Sequence, residues 1–481
     1  VNEIVAALMP LLITAATVVL AMLTIALRRA HGLTVGVTFI GIALAFVSLV
    51  PSMTADVSAT IAIGQLLVVD GIARVAMALI LLTTLAILTL CPPYVGGYRG
   101  NREELYLLLG VGTVGGLTLA CASHAATLLL GLELLGLPMV GAVAYGVDRA
   151  RSIEGGVKYL VLSAAASATL LFGIALIYAE YGALDLSTLA TAIARAGQGS
   201  TLATAGALMV LAGLAFKLSF VPFHQWTPDV YEAAPMPVTA YLATVVKLGA
   251  FVAALRVLHA DAGGASPLIA SAIVALALAS MVVGSVLALR QTSLKRLLAY
   301  SSIANFGYLA VLLAIPGLLS VRAAGIYLVG YLVASLGVFG VMTVVSSPTQ
   351  GHDREALDDY RGLFWQRPYM AAILIAMVLS LAGIPFTAGF IGKLAVMGVG
   401  VRAGEWWLVG GVALASALGI FYYLRIIGAL LTEATPAWSA APHGWLRAAG
   451  AAVLLAAAIV TVALGVLPES LFLIGRDLVS P

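Results

Sequence analysis

The chain has 481 residues, of which 62% are hydrophobic and only 9% charged, with mean hydropathy +1.10 and a formal net charge of +3. A soluble globular domain carries about 25% charged residues; this composition excludes one, and so small a surplus of positive charge gives no reason to invoke nucleic acid. The sequence reads as an all-α polytopic membrane protein, counted in apolar runs of about 20 residues that each cross a roughly 30 Å hydrocarbon layer.

About fourteen runs follow one another: 4–27, 33–51, 66–90, 104–121, 124–147, 157–179, 203–233, 238–258, 268–289, 296–315, 323–345, 370–398, 406–430 and 448–468. Charged, Pro or Gly clusters bound each of them. Glu3 stands before the first where a signal would have a basic region, and the run is as long as a span, so it is expected to anchor the chain and not to be a cleaved signal. Cys91 and Cys121 stand alone, too few for an iron–sulfur cluster or a structural zinc site. In the fourth span Gly110, Gly112 and Gly115 match G-x-G-x-x-G, but no strand precedes them, so a close-packing face through Gly112 and Gly116 is the better expectation. His124, near Cys121, has no further metal-type partners in sequence.

The fifth span carries Glu133, the seventh Lys217, the eighth Lys247 and the twelfth Lys393. Each costs on the order of 2.5–3.5 kcal/mol near a helix centre, so something must offset it. Pairing and snorkelling is the structural reading, but Lys217 and Lys247 lie about ten residues from the nearest helix ends, roughly 15 Å and beyond a lysine stem. The functional reading is a chain of proton carriers, in which burial loosens the lysines' protons and a carboxylate tightens them. Lys158, at the start of span six, is either a proton group or an interface anchor. His224, just past Pro222, is either a relay or a structural group. Tyr300 and Asn305 in span ten either hold ordered water or pack the core.

Between the spans, 184–196 is too short and polar to cross and is expected at the interface. The polar stretch 346–369 is expected to dock against neighbouring protein. Arg28, Arg29, Arg99, Arg102, Arg149, Arg151, Arg290, Lys295, Arg296, Arg354, Arg361, Arg367 and Arg447 fall on one face, against Arg195, Arg256, Arg322, Arg402 and Arg476 on the other. The positive-inside rule then places both termini outside the cytoplasm. Val221-Pro222-Phe223 and Ile384-Pro385-Phe386 mark spans seven and twelve as broken helices, which line cavities because lipid cannot satisfy freed carbonyls. Tyr159 to Val161 with Ser167, and Tyr327 to Val329 with Ser335, suggest two inverted five-helix repeats. The expected divisions are 1–102 (spans one to three), 103–260 and 261–432 (the repeats), and 433–481 (span fourteen).

The runs PFHQWTPDVYEAAPMPVTAYLATVVKLGAF (222–251), KRLLAYSSIANFGY (295–308), DDYRGLFWQRP (358–368) and GIPFTAGFIGK (383–393) resemble the antiporter-like membrane subunits of bacterial proton-translocating NADH:quinone oxidoreductase, respiratory complex I, and specifically the N-type subunit. The likeness extends over essentially the whole chain and is shared in outline with M- and L-type subunits and multi-subunit sodium/proton antiporters. It implies that Glu133 is the helix-five carboxylate paired with Lys217, that Lys247 is the central connecting lysine, where relatives commonly place a histidine, and that Lys393 is nearest the exit. It also implies M- and K-type neighbours, a lateral helix from an L-type subunit, a bacterial inner-membrane location, and no cofactor in this chain. NADH, FMN, iron–sulfur clusters and quinone would sit in partner subunits. Relatives often carry a histidine near AYSS where this chain has Asn305, so water would have to conduct there. The alternatives are a subunit of a cation/proton antiporter without a redox partner, and a non-conducting scaffold.

Overall fold

The computed structural model describes residues 2–54, 60–96, 100–146, 149–259, 265–346, 353–433 and 445–477. Arg99, the side chains of Arg447 and Arg476, and the expected division at 260 lie outside the described residues. Helices α1 (Asn2–Leu27) and α2 (His31–Thr54) lead to a hairpin of β1 (Ile61–Ile63) and β2 (Leu67–Val69). Then come α3 (Gly71–Val95), α4 (Glu104–Cys121), α5 (Ala125–Val143), α6 (Ala150–Tyr181), the short α7 (Leu186–Ala194), α8 (Thr201–Leu218) and α9 (Trp226–Ala233). The next span is α10 (Met236–Tyr241) and α11 (Lys247–Leu258), joined through a π-helical turn at Leu242–Val246. Helices α12 (Pro267–Leu289), α13 (Leu294–Ala314), α14 (Leu318–Val345) and α15 (Leu363–Gln366) follow, then α16 (Pro368–Ala382), α17 (Ala388–Ala403), α18 (Trp406–Leu431), α19 (Trp445–Val466) and α20 (Glu469–Asp477).

Among the described residues, thirteen helices are long and apolar enough to cross a membrane. The twelfth expected span is divided between α16 and α17, and the seventh between α8 and α9. The span Met236–Leu258 is buried throughout, and α13 and α14 nearly so, whereas α1, α2, α6, α18 and α19 leave most of their apolar surface exposed. A helix apolar on all sides is an interior or lipid-facing helix, so this is a multi-pass membrane protein with its most enclosed helices at the centre. Exposed Trp365 and Tyr369 at one end of the broken span α16–α17, and Trp406 and Trp407 beyond its other end, sit where interfacial aromatics are expected.

Two details need correction in this otherwise helical fold. The third span begins at Gly71, not 66, because 61–69 forms the hairpin. Its turn uses Gly64 at φ +61°, and Asp70 caps α3 by accepting from the Ala73 N–H at 2.8 Å. The close approach of α4 to α5 runs through Gly115, where a Cβ would meet the backbone of Leu134 and Leu135. Gly112 and Gly116 instead face the side chains of Tyr241, Met139 and Ile80. Part of the polar stretch, 353–357, is held by its own chain, which leaves the expected docking against neighbouring protein open: Asp353 accepts from Arg149 (2.7 Å) and Tyr94 (2.6 Å), and the Glu355 carbonyl accepts from the Leu294 N–H.

Helix α7 is capped by Asp185, whose side chain accepts from the Thr188 N–H (2.9 Å), Thr188 Oγ1 and Ser187 Oγ. The Ser187 hydroxyl and, against a partial opposing effect of burial, the Thr188 groups lower this carboxyl to about 2. Its ionised form therefore contributes stability that is fully present above the unfolded value of about 3.9 and lost as pH falls toward 2. Asp185→Ala is expected to destabilise α7 by about 1 kcal/mol at neutral pH, read as faster amide exchange at 186–194. The difference from the parent should shrink as pH falls through about 2.

Candidate functional site

Two helix breaks organise the site, and the helix endings that open them share one hydrogen-bond pattern. At the first, Ser219 adopts the left-handed conformation (φ 61°), its N–H reaches the carbonyls of Ala215 and Phe216, and Phe220 N–H returns to Ala215. At the second, Gly383 is left-handed (φ 79°), its N–H reaches Leu379 and Ser380, and Ile384 N–H returns to Leu379. This is a Schellman-type ending. It leaves the carbonyls of Leu218 and Ala382 at the negative ends of α8 and α16, aimed into protein. Pro222 lacks the N–H that would have paired with Leu218 in a continuous helix. A lysine takes each carbonyl: Lys247 Nζ donates to Leu218 O at 2.8 Å and Lys393 Nζ to Ala382 O at 2.8 Å.

Lys217, in the last turn of α8, is buried and donates to Ser163 Oγ on α6 at 2.9 Å. A Cβ on Gly136 of α5 would stand 3.3 Å from its Nζ, so the amine lies against the helix that carries Glu133. The two residues interact electrostatically but form no salt bridge: Ser163 holds the lysine, and the buried Glu133 Oε1 has no hydrogen-bond partner. The pair implied by the family resemblance is open in this structure.

Lys247 is completely enclosed. Besides Leu218 O it donates to Ser219 Oγ (2.5 Å), which shares a hydrogen bond with Thr227 Oγ1 (2.5 Å). Its Nζ lies 5.5 Å from the Trp226 ring and 5.0 Å from the Phe306 ring, within cation–π range. The preceding π-helical turn sets the lysine's direction, a distortion that recurs at functional sites. Beyond Phe306 a buried polar chain continues. Ser302 bonds Tyr331 (2.8 Å), Tyr327 Oη donates to Asn305 Oδ1 (2.6 Å), and Asn305 Nδ2 donates to Ser301 O (2.8 Å). Asn305, Tyr327, Tyr331, Ser380 and Lys393 line one cavity of about 10 Å³, room for about one water molecule. Asn305 thus lines the same cavity as Lys393.

The remaining candidates sit apart. His224 and Tyr300 are half-buried with ring centroids 6.4 Å apart, and neither is hydrogen-bonded to the three buried lysines among the described residues. Lys158 is well exposed and pairs with Glu154 (2.7 Å) and Asp229 (3.1 Å). From there an ionic network runs through Arg296 to Asp229 and Glu232, and through Arg151 to Glu355. It ends on Lys295, a fully buried lysine that bonds Glu355 (3.3 Å) and the Ala234 carbonyl (2.9 Å). The sequence reading took Lys295 for a loop charge. It also passed over buried Arg74 and the hydroxyls of Ser163 and Ser219. For Ser163 a signal existed: it lies four residues after Tyr159 of the repeated Tyr-Leu-Val, as Tyr331 lies four after Tyr327.

Residues 122–419 match the family described as NADH:quinone oxidoreductase/Mrp antiporter, transmembrane. Two curated relatives named NADH-quinone oxidoreductase subunit N are each 48% identical. The one from Ectopseudomonas mendocina covers 97% of this chain and 94% of its own, and the one from Chromohalobacter salexigens covers 96% of each. Among solved structures, a chain of respiratory complex I from Thermus thermophilus with bound aureothin superposes with a TM-score of 0.81 at 34% identity, covering 96% of this chain and 98% of that one. A chain of the Mrp complex from Dietzia sp. DQ12-45-1b, at 21% identity and a TM-score of 0.85 over 98% of this chain and 97% of that one, shares the fold. On the strength of the family match and of relatives nearly half identical from end to end, the chain belongs to the NADH:quinone oxidoreductase/Mrp antiporter transmembrane family.

Proposed function

We propose that this chain is a proton-translocating membrane subunit of a bacterial NADH:quinone oxidoreductase. Protons move along Glu133, Lys217, Lys247, the Asn305 cluster and Lys393, while NADH, FMN, iron–sulfur clusters and quinone react in partner subunits. The observation that carries this reading is that Lys217, Lys247 and Lys393 are all buried and all held by neutral acceptors, with no salt bridge to a carboxylate among the described residues. A lysine serving only structure would be expected to have an ionic partner, since burying an unpaired charge costs several kcal/mol. A lysine that gives up its proton needs none. Moving one charge against 100 mV requires about 2.3 kcal/mol, comparable to a shift of about two pKa units. The open Glu133 carboxylate supplies a way to make that shift, by closing on Lys217 and withdrawing again.

M- and K-type neighbours and an L-type lateral helix are the partners this reading assigns to the exposed apolar faces of the outer helices, in the inner membrane with both termini outside. The test is Lys217→Ala in the assembled complex reconstituted in liposomes. Protons pumped per NADH should fall, with the complex still assembled. Unchanged pumping would make the chain a scaffold, and sodium-driven pH changes without NADH would make it an antiporter subunit.

A further inference from the structure

The helix endings at the two breaks share a hydrogen-bond pattern but not the residue at the left-handed position: the second uses Gly383 and the first uses Ser219. Glycine is the unstrained choice there. A serine kept in that conformation, fully buried, invites a functional explanation from its side chain.

The surroundings of Lys247 supply one. The Leu218 carbonyl can only accept a hydrogen bond, and the Trp226 and Phe306 faces favour a cation. These three groups suit the ammonium and offer nothing to the lone pair of a neutral amine. Ser219 Oγ is the one group hydrogen-bonded to Nζ that both accepts and donates. It is in turn bonded to Thr227 Oγ1, the first polar side chain of α9 beyond the break. With Lys247 charged, Nζ donates to Ser219 and Ser219 donates to Thr227. With Lys247 neutral, both hydroxyls rotate: Thr227 donates to Ser219, and Ser219 donates to the lone pair while Nζ keeps an N–H on Leu218 O. No heavy atom has to move.

We propose that Ser219, backed by Thr227, is a positioning residue that holds Lys247 in one place through both of its charge states by reversing the direction of a two-hydroxyl hydrogen-bond chain. This rests on the proton-carrier reading above and specifies how its central lysine can cycle without losing its seat. It also ties the lysine to the geometry of the break, because Ser219 ends α8 and Thr227 lies in the first turn of α9.

The test uses the whole complex in liposomes, measuring assembly, NADH oxidation and protons pumped per NADH for Ser219→Gly, Ser219→Ala, Thr227→Val and Thr227→Ser, with Lys247→Met as reference. Ser219→Gly relieves the backbone and should assemble at least as well as the parent. It should nevertheless lose about half or more of the pumping that Lys247→Met removes, since one charge-assisted hydrogen bond is gone. Ser219→Ala and Thr227→Val should lose pumping too, and Thr227→Ser, which keeps the hydroxyl, should retain it. Full pumping in Ser219→Gly with loss only in Ser219→Ala would reduce the residue to a strained helix ending and overturn the proposal, as would full pumping in Thr227→Val. Should Lys247→Met itself pump normally, the proton-carrier reading fails. A deficient Lys247→Met beside normal Ser219 and Thr227 variants removes this inference alone.

Discussion

Lys247→Met is expected to remove this chain's contribution to proton pumping while the complex assembles at near-parental levels. Methionine matches the lysine stem in length and flexibility, so the enclosed pocket between Trp226 and Phe306 stays filled. Removing a cation from mid-membrane relieves on the order of 2.5–3.5 kcal/mol. The Leu218 carbonyl then loses its donor, at about 1–3 kcal/mol. The two changes are of similar size and opposite sign, which is why the variant should fold. Function has no such compensation. Lys217 is held on the α5–α6 side by Ser163 and Lys393 on the α16–α17 side by Ala382, so Lys247 is the one titratable amine at the first break that faces the Phe306 and Asn305 side. Pumping per NADH measured with a pH dye should drop, and an undiminished ratio would remove Lys247 from the path.

That Lys247 stands out at all is a property of membrane sequences. An ionisable residue within an apolar run contradicts its surroundings, and Glu133, Lys217 and Lys393 were legible in the sequence for the same reason. The two breaks were legible because proline removes an N–H wherever it falls. The likeness of their helix endings was not, since Lys217 precedes one proline and Lys393 follows the other; it emerges only when Ser219 and Gly383 are matched through their hydrogen bonds.

Hydroxyls carried little signal. Membrane helices hold many that merely bond the carbonyl four residues back, as Thr244 does to Ala240 and Thr118 to Val114. Nothing local separates these from Ser163 or Ser219. Lys295 is hard to pick out in the sequence because it borders a basic turn, and distant segments, the end of α9 and the return of 353–357 onto α13, enclose it. The hairpin at 61–69 was lost in part to its neighbours, since a three-residue apolar strand beside a long helix reads as more helix.

Gly383→Ala is expected to damage both stability and pumping, and a second glycine separates the two effects. Gly383 sits at φ +79°, where a Cβ costs about 1–2 kcal/mol. That Cβ would also stand 2.7 Å from Lys393 Cδ and 3.1 Å from its Nζ, so the side chain must leave its place. Losing the charge-assisted bond to Ala382 O adds about 1.5–3 kcal/mol. Gly404 ends α17 at φ +75° with nothing within 4 Å of its would-be Cβ, so Gly404→Ala carries the backbone strain without touching a lysine. Thermal stability of the detergent-solubilised complex should fall in both, further in Gly383→Ala. Only Gly383→Ala should lose protons per NADH, because only there does the added methyl displace a carrier from the end of a broken helix. Equal pumping in the two variants would mean that the seat of Lys393 on α16 is incidental. The contrast with Ser219 makes such an outcome improbable on physical grounds: at the first break the extra side-chain atoms point into a hydrogen bond with the lysine, whereas at the second they would occupy the space the lysine already fills.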